Sequence, residues 1–117
     1  MIDGLDKLFA QLEKIADLDL VSAEIDAVNV FAEEARNLVP VDTGALQITI
    51  GVEVEGDTVN LVAGNEDVNY ALYVEMGTIK MAAQPYMRPA VDNKQKQAMK
   101  AAAENINAQM KRIAGNG

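Results

Sequence analysis

The sequence has no cysteine and no histidine, and Ser22 is its only serine. Without cysteine there is no disulfide, no thiolate metal site and no thiol nucleophile. Without histidine the chain lacks the usual general base near neutral pH and the commonest metal ligand. A Ser-His-Asp arrangement cannot be built from it. Tryptophan is absent, and two Phe and three Tyr are the only aromatics. Any core must rest on Ala, Val, Ile, Leu and Met. No apolar run approaches the roughly 18 residues of a membrane span, so no membrane contact is expected. The acidic start Met1-Ile2-Asp3-Gly4-Leu5-Asp6 lacks the basic opening of a signal peptide. The expectation is synthesis in the cytoplasm. No glycine-rich phosphate loop or dinucleotide fingerprint occurs, and no cofactor is expected.

What is present is 117 residues, half of them hydrophobic, which suits one small domain. A chain this short often gains stability from partner subunits. The net charge of −8 is unevenly spread: residues 1–76 hold 16 acidic and 3 basic side chains, residues 77–117 hold 2 and 7. A basic tail helix lying beside the acidic part would satisfy that polarity within one molecule. Head-to-tail contact between neighbours would satisfy it equally. The overall acidity argues against a nucleic-acid-binding surface, which needs basic groups for phosphate.

Leu5, Leu8, Phe9, Leu12, Ile15 and Ala16 recur at helical spacing and predict an amphipathic helix over about residues 4–17. Asp17-Leu18-Asp19 breaks the pattern. A second helix is expected over 22–38 with Ser22 as N-cap, Ile25, Val28, Phe31, Ala32, Ala35 and Leu38 on one face, and Pro40 ending it. Over 46–63 the period becomes two. Ile48, Ile50, Val52 and Val54 alternate with polar residues and Gly51, as Val59, Leu61 and Ala63 do with Asn60 and Val62. Glu55-Gly56-Asp57-Thr58 lies between as a turn, so a hairpin with one buried face is expected. Residues 70–76 suit a short helix with Gly77 as C-cap. Thr78–Met87 reads as loop plus a further strand, held short by Pro85 and Pro89. Pro89 suits the first turn of a last helix, over about 91–114. Its face would be Ala98, Met99, Ala102, Ala103, Ile106, Met110 and Ile113. The expected class is α+β: a small antiparallel sheet, a hairpin plus a further strand, packed against N-terminal and C-terminal helices. One domain would span 1–117, helical over 1–40, hairpin over 41–64, short helix and loop or strand over 65–90, then the last helix.

Candidate chemistry is thin. Asp42, in Asp42-Thr43-Gly44, could be an acid or metal ligand, but Asp, Thr and Gly together are turn chemistry. Glu33 and Glu34 could pair as glycosidase carboxylates, yet adjacent acids on a helix face are normally solvated. Glu75 sits in an apolar stretch and suits a bond to nearby backbone or to a base such as Arg88. Tyr70, Tyr73 and Tyr86 could stack on a ligand, though such tyrosines more often pack at a core edge. Gly77–Met87 mixes Ile79, Lys80, Met81, Tyr86 and Met87, followed by Arg88. Methionine makes adaptable contacts, and these six residues are the candidate subunit interface.

Three pieces in order resemble a known family. Ala35-Arg36 and Val39-Pro40-Val41-Asp42-Thr43-Gly44-Ala45-Leu46 are the first. Asn69-Tyr70-Ala71-Leu72-Tyr73-Val74-Glu75-Met76-Gly77-Thr78 is the second, and Gln84-Pro85-Tyr86-Met87-Arg88-Pro89-Ala90 the third. Their spacing is similar to that of the siphophage minor tail component, head–tail joining or tail-completion proteins. The shared structural positions are Pro40, Asp42, Thr43, Gly44, Tyr70, Ala71, Glu75, Gly77, Thr78, Pro85 and Pro89. Gln47, Met76 and Gln84 depart from the family's common basic, aromatic and arginine residues. The resemblance implies a non-enzymatic virion protein of the neck or upper tail, in a phage or prophage. Its partners would be copies of itself in a ring, hexamers being usual there, and neighbouring neck or tail proteins. DNA would only pass through the lumen. A small acidic regulatory module that binds a host partner is the alternative, and a carboxylate-dependent hydrolase a weaker one.

Overall fold

A computed structural model describes residues 18–40, 44–65, 68, 71–76 and 82–116. Its elements are α1 (Leu20–Leu38), α2 (Gly44–Thr49), β1 (Gly51–Glu55), β2 (Thr58–Val62), α3 (Ala71–Met76) and α4 (Met87–Asn116). The fold is α+β. The two long helices lie antiparallel, and the hairpin packs against α1.

Small residues bring α1 and α4 together. Ala23, Ala27 and Phe31 of α1 meet Ala98, Ala102 and Ile106 of α4, all buried. With methyl groups on both sides, the two backbones approach closely and Phe31 supplies most of the apolar bulk. A second cluster joins Ala32, Ala35 and Val39 to Leu46, Ile50, Val74, Tyr86 and Ala90. Leu61 of β2 packs against both clusters and ties the hairpin to the helix pair.

The α1 N-cap is Asp19, not Ser22. The Asp19 carboxylate accepts from the Ser22 N–H at 3.0 Å, so the helix starts two residues before the expected 22. Its backbone is fixed too. Asp19 N–H donates to Gln109 Oε1 at 2.7 Å, and Gln109 Nε2 donates to Asp19 C=O at 3.0 Å. Gln109 is the buried polar residue of the described core, and its amide also donates to Asn105 Oδ1. The Asn105 amide in turn donates to Ser22 Oγ and Asp26 Oδ2. A buried amide of this kind stays only if bonded, and the bonds to Asp19, Ser22 and Asp26 fix the register of α1 on α4.

The hairpin is shorter than its alternation suggests. β1 and β2 pair antiparallel from Gly51–Val62 to Glu55–Thr58, and Gly56-Asp57 makes the two-residue turn. Gly56 has φ +63, which the tight hairpin turns require of their first central residue. Leu46–Thr49, expected as strand, is helical. Leu46 and Ile50 point into the core four residues apart while Ile48 is 84% exposed. That spacing of four belongs to a helical turn, and Thr49 Oγ1 stabilises it by donating to Leu46 C=O at 2.6 Å. Among the described residues the sheet has two strands. Residues 82–86 form no further strand, and 77–81 lie outside the described residues. So do the expected 4–17 helix, the Asp42-Thr43 turn and the Gly77 cap.

Gly64 leaves β2 at φ +83, and a Cβ there would stand 2.7 Å from the Val68 carbonyl oxygen and 3.2 Å from Ala71 Cβ. Its N–H donates to Thr49 Oγ1, while Asn65 and Val68 close the next turn on each other. Gly64→Ala combines a left-handed backbone with a clash against main chain. It should cost about 2 kcal/mol, read as a lower urea midpoint with unchanged slope.

Candidate assembly site

The site is the junction where α3 ends and α4 begins. A helix start leaves four N–H groups without partners inside the helix. In α4 these belong to Tyr86, Met87, Arg88 and position 89. Proline at 89 has no N–H to satisfy. The other three are taken by one side chain from elsewhere in the fold. Glu75 Oε1 accepts from Tyr86 N–H and Met87 N–H, both at 2.8 Å, and Oε2 accepts from Arg88 N–H at 3.2 Å. The first helical bond, Ala90 N–H to Tyr86 C=O, follows at once. The carboxylate also lies where the helix dipole is positive. Glu75 thus bonds to nearby backbone, one of the two partners its sequence context suggests. For Arg88 it is the main-chain N–H that the carboxylate receives.

Tyr86 locks the junction from inside. It is 1% exposed, and its hydroxyl donates to Ala71 C=O at 3.1 Å. Burial, and then the Glu75 charge nearby, push its phenol up to about 12. Because Tyr86 is a core residue it offers a neighbouring subunit no surface, and it drops out of the expected interface set. Unfolding returns the phenol to near 10. Between pH 10 and 12 the unfolded chain therefore ionises first, and stability falls as pH rises. Tyr86→Phe should remove that part of the alkaline loss, at a cost of about 1 kcal/mol at neutral pH for the missing hydrogen bond. Urea melts of both proteins across pH 8–12 would show it.

Gln84 N–H donates to Val74 C=O at 2.8 Å, so the chain that leaves α3 at Met76 is tied back to α3 before α4 starts. Ile79, Lys80 and Met81 fall in the interval this closes, outside the described residues. At its stem Met76 and Arg88 are exposed and Met87 is half-buried. Glu75, Met76, Ala83, Pro85 and Arg88 line an open hollow of about 340 Å³ there.

The remaining candidates do not converge. Glu33 is exposed and Glu34 half-buried on α1. Glu33 lines an open groove between α1 and α4 with Asp26, Asn29, Glu104 and Arg112. No group of three or more acidic side chains able to hold a metal ion occurs among the described residues. No described helix is long and apolar enough to cross a membrane. Pro40 follows α1, Gly44 opens α2, Ala71 opens α3, and Pro85 precedes the Glu75 cap. Asp42, Thr43, Tyr70, Gly77 and Thr78 lie outside the described residues, as does the Tyr73 side chain.

One clamp had a weak signal in the sequence. Arg36 Nε donates to Ile50 C=O at 3.0 Å, and Gln47 Nε2 donates to Arg36 C=O at 2.8 Å. Together they fasten the end of α1 to α2. An arginine in a last helical turn often meets carbonyls, but nothing in the spacing named Ile50 as the partner. Among the described residues the polarity of the chain is not answered by a salt bridge from one long helix to the other. The ion pair held among the described residues is Lys100–Glu104, exposed and within α4 at 4.0 Å. Asp26 meets α4 through the Asn105 amide instead.

Residues 1–77 match the family model HK97-gp10_like, described as "Bacteriophage HK97-gp10, putative tail-component". No curated protein and no solved structure matches the chain.

Proposed function

From the premise that the chain belongs to the HK97-gp10-like family of bacteriophage tail components, we propose that it is a structural subunit of a ring, hexameric as is usual at that level of the tail, that completes the tail and joins it to the head. The observation that carries this reading is the Glu75 clamp. One carboxylate and one main-chain bond hold both ends of the 77–85 segment against the body of the subunit. A contact segment whose two ends are fixed has less freedom to lose when it binds, so more of its contact energy becomes affinity. Ile79, Lys80 and Met81, with Met87 and Arg88, form the contact offered to the next subunit. A ring requires such heterologous contacts, one face meeting a different face. The acidic α1 side of one copy and the basic residues of α4 in another supply complementary partners. The role is one of assembly, without catalysis.

Electron microscopy of lysates from the parent phage with this gene disrupted tests the proposal. Filled heads beside separate tails of normal length are expected. Overlong or frayed tails would move the role to termination of tail length. Normal infectious particles would overturn the reading.

A further inference from the structure

We propose, on the ring reading above, that the outward face of the hairpin in one subunit docks on the outward face of α4 in the next. Side chains alternate along a strand. Val52, Val59 and Leu61 turn to the core, so Glu53 and Glu55 stand on the other side, and Asp57 sits in the turn. All three acidic residues are exposed. Residues 51–62 contain no basic side chain. The cross-strand partners of Glu53 and Glu55 are Asn60 and Thr58, uncharged residues at positions where a lysine would have balanced each carboxylate. The repulsion between the carboxylates is left for another surface to relieve.

The counterpart lies on α4. Its buried stripe is Ala98, Ala102, Ile106 and Gln109. At about 100° per residue, Lys96, Lys100 and Lys111 fall within an arc of about 60° on the opposite side, and all three are exposed. Asp92 and Glu104 border this arc. Glu104 meets Lys100 at 4.0 Å in an exposed pair, which contributes little. Between Lys100 and Lys111 this side of the helix carries Ala103 and Asn107, short side chains that let another surface approach. The spacings agree. Glu53 and Glu55 are about 7 Å apart along the strand, and Lys96 and Lys100 about 6 Å apart along the helix. The hairpin reaches the buried side of α4 through Leu61, so the two outward faces are turned from a shared core and do not meet within one subunit. Complementary faces that point in different directions are what a head-to-tail contact between identical subunits requires. The occupant is a second copy of this chain.

Carbodiimide coupling reads the contact directly, because it joins a carboxylate to an amine only where the two touch. The purified full chain, mixed in equal parts with isotope-labelled chain, is coupled at low salt and digested for mass spectrometry. The expected product links Glu53 or Glu55 of one chain to Lys96 or Lys100 of another, and its yield should fall several-fold at high salt. Products joined only within a chain, or none at these positions, would overturn the proposal. Charge reversal supplies a second measurement. Glu53→Lys with Glu55→Lys should weaken self-association in sedimentation on the order of tenfold, and so should Lys96→Glu with Lys100→Glu. The chain with all four changes should regain it. All four positions are exposed, so thermal melts should stay close to that of the parent. A four-change chain that stays dissociated would mean that the acidic face meets a different partner, and would overturn the contact. Separate heads and tails in the disrupted phage, without the expected link, would overturn the contact and leave the ring reading standing. The link in a chain whose loss leaves particles normal would do the reverse.

Discussion

Replacing Glu75 by alanine should remove about 3 kcal/mol of stability, a large part of the roughly 5–15 kcal/mol a domain possesses. Three N–H groups at the start of α4 lose a charged acceptor at once. Hydrogen bonds to charged groups contribute about 1.5–3 kcal/mol each. Water recovers part of that at a half-buried site, which keeps the expected total near that of two such bonds at the lower limit. The melting temperature should fall on the order of 10–20 °C. Glu75→Gln should fall between the two proteins. Its amide oxygen can still accept from Tyr86 and Met87, but its NH2 group would face the Arg88 N–H donor to donor, and the charge that favours a helix N-terminus is gone. Thermal melts that rank the series Glu, Gln, Ala would establish the cap. An alanine variant as stable as the parent would show that solvent substitutes for it. The same clamp holds the stem of the proposed contact loop. Where Glu75→Gln remains folded, its incorporation into particles should fall more than its stability explains.

Periodicity in the sequence made α1, the hairpin, α3 and α4 legible because each is long or regular enough to repeat its pattern. The failures have physical reasons. Ile48-Thr49-Ile50 alternates like a strand, but a three-residue alternation cannot be told from a helical turn that buries positions 46 and 50 and leaves 48 in solvent. Asp19 and Ser22 are both capping residues, and the helical pattern, broken over Asp17-Leu18-Asp19, points to Ser22. The choice between them was made by Gln109, ninety positions away. Glu75 was recognisable as a carboxylate in an apolar setting needing a partner, and Pro89 as a first-turn proline. What a single sequence could not supply was that these are one arrangement: the proline removes the fourth N–H that the carboxylate would otherwise leave orphaned. Tyr86 falls in a stretch that reads as loop plus strand, and the core packing with a bonded hydroxyl that is usual for such a tyrosine is what it adopts. Met110 and Ile113 fit the buried stripe by spacing, yet they are 45% and 40% exposed.

Phe31→Ala should be the most damaging single change, at about 4–5 kcal/mol, the upper end for loss of a buried phenylalanine. The reason is the company it keeps. Such a loss has a transfer part and a cavity part, and the cavity part shrinks only where neighbours can move into the void. The other buried residues of its cluster are Ala23, Ala27, Ala98 and Ala102, with Ile106 at the end. Alanine has no rotamer to change, so the void could close only if the helices moved together. The Asn105 and Gln109 bonds resist that movement by holding α1 against α4. Leu61 and Met99, at the edge of the cluster, can fill a small part. The damage should reach the hairpin, because Leu61 links it to the helix pair through this cluster. Urea unfolding should show the alanine variant near its midpoint without denaturant. Phe31→Met, similar in volume and adaptable in shape, should cost less than about 1.5 kcal/mol. Equal losses in the two variants would mean that ring geometry, rather than filled volume, holds α1, α4 and the hairpin together.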